Sequence, residues 1–361
     1  MIFFGMEYLN EAVELLKSLI SIPSQSKEEG NAADYIKRYL TQHDCCVHRV
    51  GNNLWCEAFS HDDSKPTILL NSHIDTVAAS NAWTYPPFEP TLEGDRLYGL
   101  GSNDAGAPLC CLIQTFLRIR EQAPAQAYNL ILGLSCEEEI TGKNGIELLM
   151  PSLPSVSLAI VGEPTQMHAA IAEKGLMVLD CTVRGVSGHA AHATGVNAIY
   201  KAIPAISWFQ TAQVPRVSDF LGPVRMSVTI VQSGTKHNII PDECHFTVDV
   251  RVNECYTNQE LYQWICSQVC ETYGCEVEAR SFRLGSSRMD PQHPLVCRCR
   301  DLGMELYGSP TLSDQSRMSC PSLKLGPGDS LRSHTSDEYI CLSEMRQGLD
   351  LYWQLLNGLV I

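Results

Sequence analysis

The chain has 361 residues, 44% of them hydrophobic and 19% charged, with a formal net charge of −15 at pH 7. That length exceeds the size at which one core keeps growing, so two domains are expected, and with no low-complexity tract or long Gly/Ser linker nothing points to disorder. The acidic balance argues against nucleic acid or an anionic membrane as the main partner, since both require a basic face. The opening MIFFGMEYLN has only a short apolar patch with no basic residue before it, so neither a signal peptide nor a membrane span is expected. Met6 is the expected natural start, with residues 1–5 a dispensable extension. Sixteen cysteines occur without a C-x-x-C pair. They are expected to be free thiols in a reducing cytoplasm.

Apolar residues at Leu9, Val13, Leu16 and Ile20 share one helical face, and residues 31–40 repeat that periodicity. Strands are expected at 54–59 and 67–72, a helix at 105–120, and strands at 129–135 and 157–161. This alternation implies an α/β domain, a largely parallel sheet with helices on both faces. After about Glu173 the order changes to a strand at 177–184, a helix at 196–211 bent at Pro204, strands at 226–232 and 244–252, a helix at 258–273 and a strand at 275–282. Such a βαββαβ succession is the ferredoxin-like unit. It is expected to occupy 174–283 as an insertion in a domain made of 1–173 and 284–361. The closing segment must return to the first domain because it carries another polar cluster, GPGDSLRSHTSDEY, with His334 inside it.

The segment ILLNSHIDTV (68–77) sets His73 and Asp75 two residues apart at the end of an apolar run that reads as a buried strand, projecting both into a cleft. Alone, such a pair is more often an ordinary surface hydrogen bond. Similar acidic signals follow at Asp104 in YGLGSNDAGA, at Glu137 and Glu138 in NLILGLSCEEE, and at Glu163 in SLAIVGEPT. Each closes an apolar run or sits in a Gly-bounded turn, where open α/β sheets build their sites. His73, Asp104, Glu138, Glu163 and His334 supply two imidazoles and three carboxylates, enough for two divalent ions if one carboxylate bridges. Oxygen and imidazole donors without cysteine suit Zn²⁺, with Co²⁺ or Mn²⁺ as substitutes. Asp75 lies too close to His73 in sequence to bind the same ion and is expected to accept the hydrogen bond of the imidazole's other nitrogen. Glu137 and Glu138 point in different directions, so one can bind metal while the other serves as general base.

The motifs SHIDTV, GLGSNDAG, CEEE, GEPT, AEKG, GVSGHAAH and GPG followed by SHT occur in this order from about Met6 to the C-terminus. In them the chain resembles the M20 dinuclear zinc aminoacylases and peptidases, above all the acetylornithine deacetylase and succinyl-diaminopimelate desuccinylase branch. The resemblance implies one ion on His73 and Glu163, a second on Glu138 and His334, Asp104 bridging, Glu137 as general base and Asp75 as the partner of His73. It further implies that His189, rather than nearby His192, reaches into the partner subunit's site to steady an oxyanion. The inserted domain would then be both lid and dimerisation domain of a homodimer. Arg251 and Asn238 fall where the family binds the substrate's α-carboxylate, to which an Arg fork is suited. Gly326, Pro327 and Gly328 would form a loop close to the ligand. One departure is the turn Asp104-Ala105-Gly106-Ala107, which lacks the lysine usual after the bridging aspartate.

The expected activity is metal-dependent removal of a small acyl group, acetyl or succinyl, from the α-nitrogen of an amino acid. N-acylornithine in arginine biosynthesis stands first. Succinyl-diaminopimelate desuccinylase or an M20 dipeptidase is the alternative within the same chemistry, and a non-catalytic metal-binding dimeric scaffold is the alternative from another class.

Overall fold

The computed structural model describes residues 2–192 and 194–361. They divide into two compact units, Met1–Ile171 with Arg288–Tyr307 and Ser313–Ile361, and Ala172–Ser287 with Gly308–Leu312. The short return of Gly308–Leu312 into the second unit has no signature in the sequence.

In the first unit, strands Thr67–His73, Asn129–Ser135 and Leu158–Val161 are buried at every position. That is the pattern of a sheet covered on both faces. The three run parallel with Thr67–His73 in the centre, and Ser322–Lys324 adds a fourth parallel strand beside Leu158–Val161. Antiparallel strands flank the set, Asn53–Glu57 and His48–Val50 on one side and Ala169–Glu173 on the other. Leu69, Ile131 and Ala159 from the central strands form one apolar layer, with Trp55, Met150 and Leu153 packed against it. Helix Ala107–Gln122 packs between the sheet and helices Ile2–Ile20 and Leu342–Leu356. It starts two residues later than the expected 105, with Pro in its first turn, because Asp104 is extended at φ −118° and ψ 102°. A small sheet of Thr91–Glu93, Arg96–Tyr98 and Tyr339–Cys341 completes the unit. Its three-residue strands are too short for any periodicity to reveal.

The second unit is a four-stranded antiparallel sheet ordered Arg225–Ser233, Glu243–Val252, Gly175–Arg184, Cys275–Ala279. This is the ferredoxin-like order, so the architecture is α/β with a mostly parallel central sheet and an inserted ferredoxin-like unit. Burial alternates along Gly175–Arg184 and Glu243–Val252. The inward residues, among them Leu179, Phe246 and Val248, meet Ala202, Phe209, Leu261 and Ile265 of the two covering helices. Helix Ala198–Thr211 is capped by Asn197 and contains Pro204. Helix Asn258–Tyr273 starts at a Thr257–Glu260 capping box and stops at Gly274, whose φ of 60° is the left-handed geometry glycine adopts readily. Among the described residues, no helix is long and apolar enough to cross a membrane.

Candidate metal centre

His73 ends its strand, and its side chain is 1% exposed. Its Nδ1 lies 2.9 Å from the backbone carbonyl of Asp75 and 3.6 Å from the Asp75 carboxylate. The expected partner is therefore Asp75's main chain rather than its side chain. With Nδ1 donating to that carbonyl, Nε2 is left as the ligating nitrogen. Nε2 faces Asp104 at 3.2 Å, and Glu138 and Glu163 at 4.0 Å each.

The Asp75 carboxylate, buried and 1% exposed as a residue, serves the other side of the site. It accepts the backbone N–H groups of Glu138 at 3.0 Å and Glu139 at 3.1 Å, and the Ser26 hydroxyl at 2.7 Å. Two successive glutamates are thereby hung on one anion at the end of strand Asn129–Ser135, with their side chains diverging.

The structure sends the three glutamates of CEEE to different places. Glu137 is 6% exposed with φ at 54°. Its carboxylate closes the local turn, accepting the Asn144 side-chain amide at 2.8 Å and the Asn144 backbone N–H at 3.4 Å. Gly142 is required there, since a Cβ would come within 1.9 Å of Glu137 Oε2. The expected base is thus spent on its own loop. Glu138 lies instead with His73 and Glu163, their ligand atoms all within 4.8 Å of one another, and Glu139 lies with His73 and Asp104 in a second such group. The expected pairing of Glu138 with His334 is replaced by Glu139, whose Oε2 is 2.8 Å from His334 Nε2, while Asp104 Oδ2 is 3.8 Å from the same nitrogen.

Two imidazoles and four carboxylates thus converge where the core strands end. Burial, then the Asp104 charge, pushes the Glu163 carboxyl up to about 8. Burial likewise holds Glu138 well above the carboxylate range, with Glu163 and Asp314 adding repulsion. Hydrogen bonding to Glu139 lifts His334 to about 9. Crowded, partly desolvated anions of this kind are relieved by divalent cations, and the donor set of nitrogen and carboxylate oxygen fits Zn²⁺ or Co²⁺.

Two buried carboxylates beside the cluster were not singled out as site residues in the sequence, Asp314 lying outside every motif and Glu338 inside the polar cluster of His334. Asp314, pushed up to about 6 by burial, takes the Ser135 hydroxyl at 2.5 Å. Glu338 binds the backbone of the Asp104 turn. Gly326 and Gly328 are close-approach positions toward the protein itself. A Cβ at Gly326 would meet the Glu163 carbonyl at 2.5 Å, and one at Gly328, with φ at 94°, would meet Asn103 Oδ1 at 2.5 Å.

The remaining expected residues lie in the second unit. His189 and Ile239 pair across a two-residue ladder, next to Asn238, whose carbonyl accepts the Ala190 N–H at 3.0 Å. His189 Nδ1 accepts the Ala191 N–H at 3.1 Å, and its ring lies 5.2 Å from that of His192. Arg251 occupies the sheet face away from the helices and bonds Asp249 at 2.8 Å. Directly opposite it in register is Arg225, and the buried Lys174 is held below its usual range by burial and then by these two arginines. Like charges facing each other across a strand pair repel, and here Asp249 offsets part of that repulsion by pairing with Arg251, while Lys174 Nζ donates to the Pro223 carbonyl at 2.9 Å. Lys174 lies in the AEKG motif, but Arg225 was not distinguishable in the sequence, because the register that places it opposite Arg251 is a tertiary property.

Residues 69–358 match Peptidase family M20/M25/M40. The chain is 23% identical over 380 residues to succinyl-diaminopimelate desuccinylase 2 of Ruegeria sp. (strain TM1040), covering 96% of this chain and 94% of that protein. Among solved structures it resembles aminopeptidase PepT of Bacillus cereus ATCC 10987, with a TM-score of 0.79, 18% identity, and 97% and 98% of the two chains covered. It also resembles the Bacillus subtilis YXEP protein, a dinuclear metal binding peptidase from the M20 family, with a TM-score of 0.76, 16% identity, and 97% and 98% covered.

Proposed function

The chain belongs to Peptidase family M20/M25/M40 and is a metal-dependent hydrolase of amide bonds; from that premise we propose that it removes a succinyl or other small acyl group from an amino-acid nitrogen, using two zinc ions. His73 and Glu163 would hold one ion, Glu139 and His334 the other, with Asp104 between them and Glu138 as general base. The observation that carries this assignment is the split at Asp75, which hangs Glu138 and Glu139 from one carboxylate while Glu139 alone reaches His334.

Bound there, divalent ions would supply Lewis-acid polarisation of the amide carbonyl and acidify an attacking water. Glu138, beside His73 and Glu163 but not held by His334, is placed to take a proton from an attacking water and deliver it to the leaving nitrogen. Arg251, with Arg225 and Lys174 beside it, binds a substrate carboxylate. A substrate with several carboxylates fits three cations better than a singly charged one, and relatives named as succinyl-diaminopimelate desuccinylases favour the succinyl reading. N-acylornithine is the second reading, supported by the motif series. His189 is assigned to the oxyanion, donated across a homodimer. The edge strand Arg225–Ser233 exposes Ile230 and Val231, and the adjacent helix exposes Ile203 and Tyr200, an apolar face suited to a second copy.

The test is amine release from N-succinyl-diaminopimelate, N-succinyl- and N-acetylornithine, N-acetylcitrulline and simple dipeptides, after chelation and after restoring Zn²⁺ or Co²⁺. Metal-dependent turnover concentrated on one acyl amino acid supports the reading and names the acyl group. Turnover on dipeptides alone refutes the acyl assignment, and none on any substrate favours the scaffold.

A further inference from the structure

Glu338 is 2% exposed, lies four residues after His334, and ligates nothing in the arrangement above. Its carboxylate instead accepts three backbone N–H groups of the Asp104 turn: Gly101 at 2.9 Å on one oxygen, and Asn103 and Asp104 at 2.8 Å each on the other. The turn is a short π-type turn over Ser102–Gly106 interrupted at its centre, with Gly101 at φ 71° and Asp104 extended, and its own bonds, such as Gly106 N–H to the Gly101 carbonyl at 2.9 Å, leave the N–H groups of Gly101, Asn103 and Asp104 to Glu338. Converging amides of this kind form a concavity that needs an anion at its centre, and here the chain supplies its own. The Glu338 backbone carbonyl also accepts the Gly99 N–H at 3.1 Å, and Asn103 reaches across to the Asp329 carbonyl at 3.1 Å. Each of the bonds to Glu338 and Asp329 joins the Asp104 turn to the segment that carries His334.

We propose that Glu338 is a positioning residue that sets the span between the Asp104 carboxylate and His334, and so governs occupancy of the ion position shared by Asp104, Glu139 and His334. The proposal rests on the two-ion reading and deepens it. His73 and Glu163 sit at or just past the ends of core strands and hold their places without Glu338. Asp104 and His334 lie on irregular backbone, His334 with φ at 58°, and the Glu338 carboxylate supplies three of the bonds that tie their segments together, the others running through Gly99 and Asn103.

The experiment compares wild-type protein with Glu338→Gln and Glu338→Asp, reading bound Zn²⁺ per chain against buffered free Zn²⁺ and the melting temperature of the metal-free forms. Glutamine keeps one oxygen but turns an N–H toward a backbone donor, and aspartate keeps the charge but is one methylene short. In both, one ion binds as in wild type and the other weakens by about 10- to 100-fold, the range for losing a residue that orients a ligand. Turnover falls with KM unchanged and recovers as free Zn²⁺ is raised. If wild type itself holds fewer than two ions, the two-ion reading fails. If wild type holds two and both variants hold two at the same affinity, Glu338 has no such role. Equal weakening of both ions with a lowered metal-free melting temperature, or failure of both variants to fold, makes Glu338 a plain structural residue and also overturns the proposal.

Discussion

Replacing Glu137 and Glu138 by glutamine, one at a time, separates two neighbours that composition cannot distinguish. The Glu137 carboxylate is buried and takes two N–H groups from Asn144. Glutamine can accept one of them and must aim an amide N–H at the other. The loss is one charged hydrogen bond plus an unsatisfied buried donor, about 1–3 kcal/mol of stability, read as a melting temperature lowered by a few degrees. Turnover of the Glu137→Gln enzyme stays within a few-fold of wild type, because its carboxylate serves only its turn. Glu138 presents the opposite case. Burial and the charges of Glu163 and Asp314 oppose its ionisation, so a neutral glutamine relieves repulsion and the metal-free protein melts no lower than wild type. Losing a general base lowers kcat by about 10²- to 10⁴-fold, or about 2.7–5.4 kcal/mol in the barrier, with both ions still bound. The assay is kcat, metal content and melting temperature on the three proteins side by side. A collapse of turnover in Glu137→Gln with both ions retained, together with near-normal turnover in Glu138→Gln, would restore the assignment first read from the sequence and refute this one.

Metal-free protein should lose stability as pH rises. Glu163 titrates near 8 in the folded protein against 4.5 in a free chain, so the fold binds the extra proton in that window and loses up to about 1.4 kcal/mol per pH unit across it. His334, raised from 6.5 to about 9 by Glu139, contributes fully below 6.5 and loses its contribution as pH climbs through 9. Zn²⁺ requires these groups deprotonated, so the gap in melting temperature between loaded and chelated protein should widen from about pH 6 to about pH 9; a constant gap would contradict the ligand set. Arg251→Ala should raise KM for acyl amino acids about 10-fold or more with kcat little changed, and an equal effect on a substrate analogue lacking the carboxylate would remove Arg251 from recognition. Ile203→Glu with Ile230→Lys should yield monomers by light scattering. Mixed dimers of His189→Ala and Glu138→Gln should regain part of the activity if His189 serves the partner's site, provided subunit exchange is verified.

The central strands were legible because burial on both faces leaves near-continuous apolar runs, and these end where His73, Glu138 and Glu163 begin or soon follow. The inserted unit was legible through alternation, visible wherever one sheet face is buried and the other open. What failed to show was register beyond a strand's end. CEEE leaves strand Asn129–Ser135 through a left-handed Glu137, which breaks the period-two rule and rotates the assignment by one residue. Part of what holds that turn is distant in sequence: Glu29, just before helix Gly30–Gln42 and more than a hundred residues away, accepts the Glu137 N–H at 3.1 Å. The sequence ties Asp75 to His73 by proximity, and proximity could not tell that the main chain rather than the carboxylate makes the 2.9 Å contact.

In the proposed assignment the ligand residues fall into two sets, each placed by a buried carboxylate that binds backbone amides. Asp75 fixes Glu138 and Glu139 through its side chain and His73 through its carbonyl. Glu338 fixes the Asp104 turn relative to the segment of His334. A carboxylate engaged by two or three N–H groups keeps fewer lone pairs for a cation and is held in place by those bonds, which favours a supporting role for it. The same reasoning removes Glu137 and retains Glu139. In a cluster this rich in acid, the supporting carboxylates Asp75, Glu137 and Glu338 are the buried ones with N–H groups on their oxygens, while Asp104, Glu138, Glu139 and Glu163 are only partly buried.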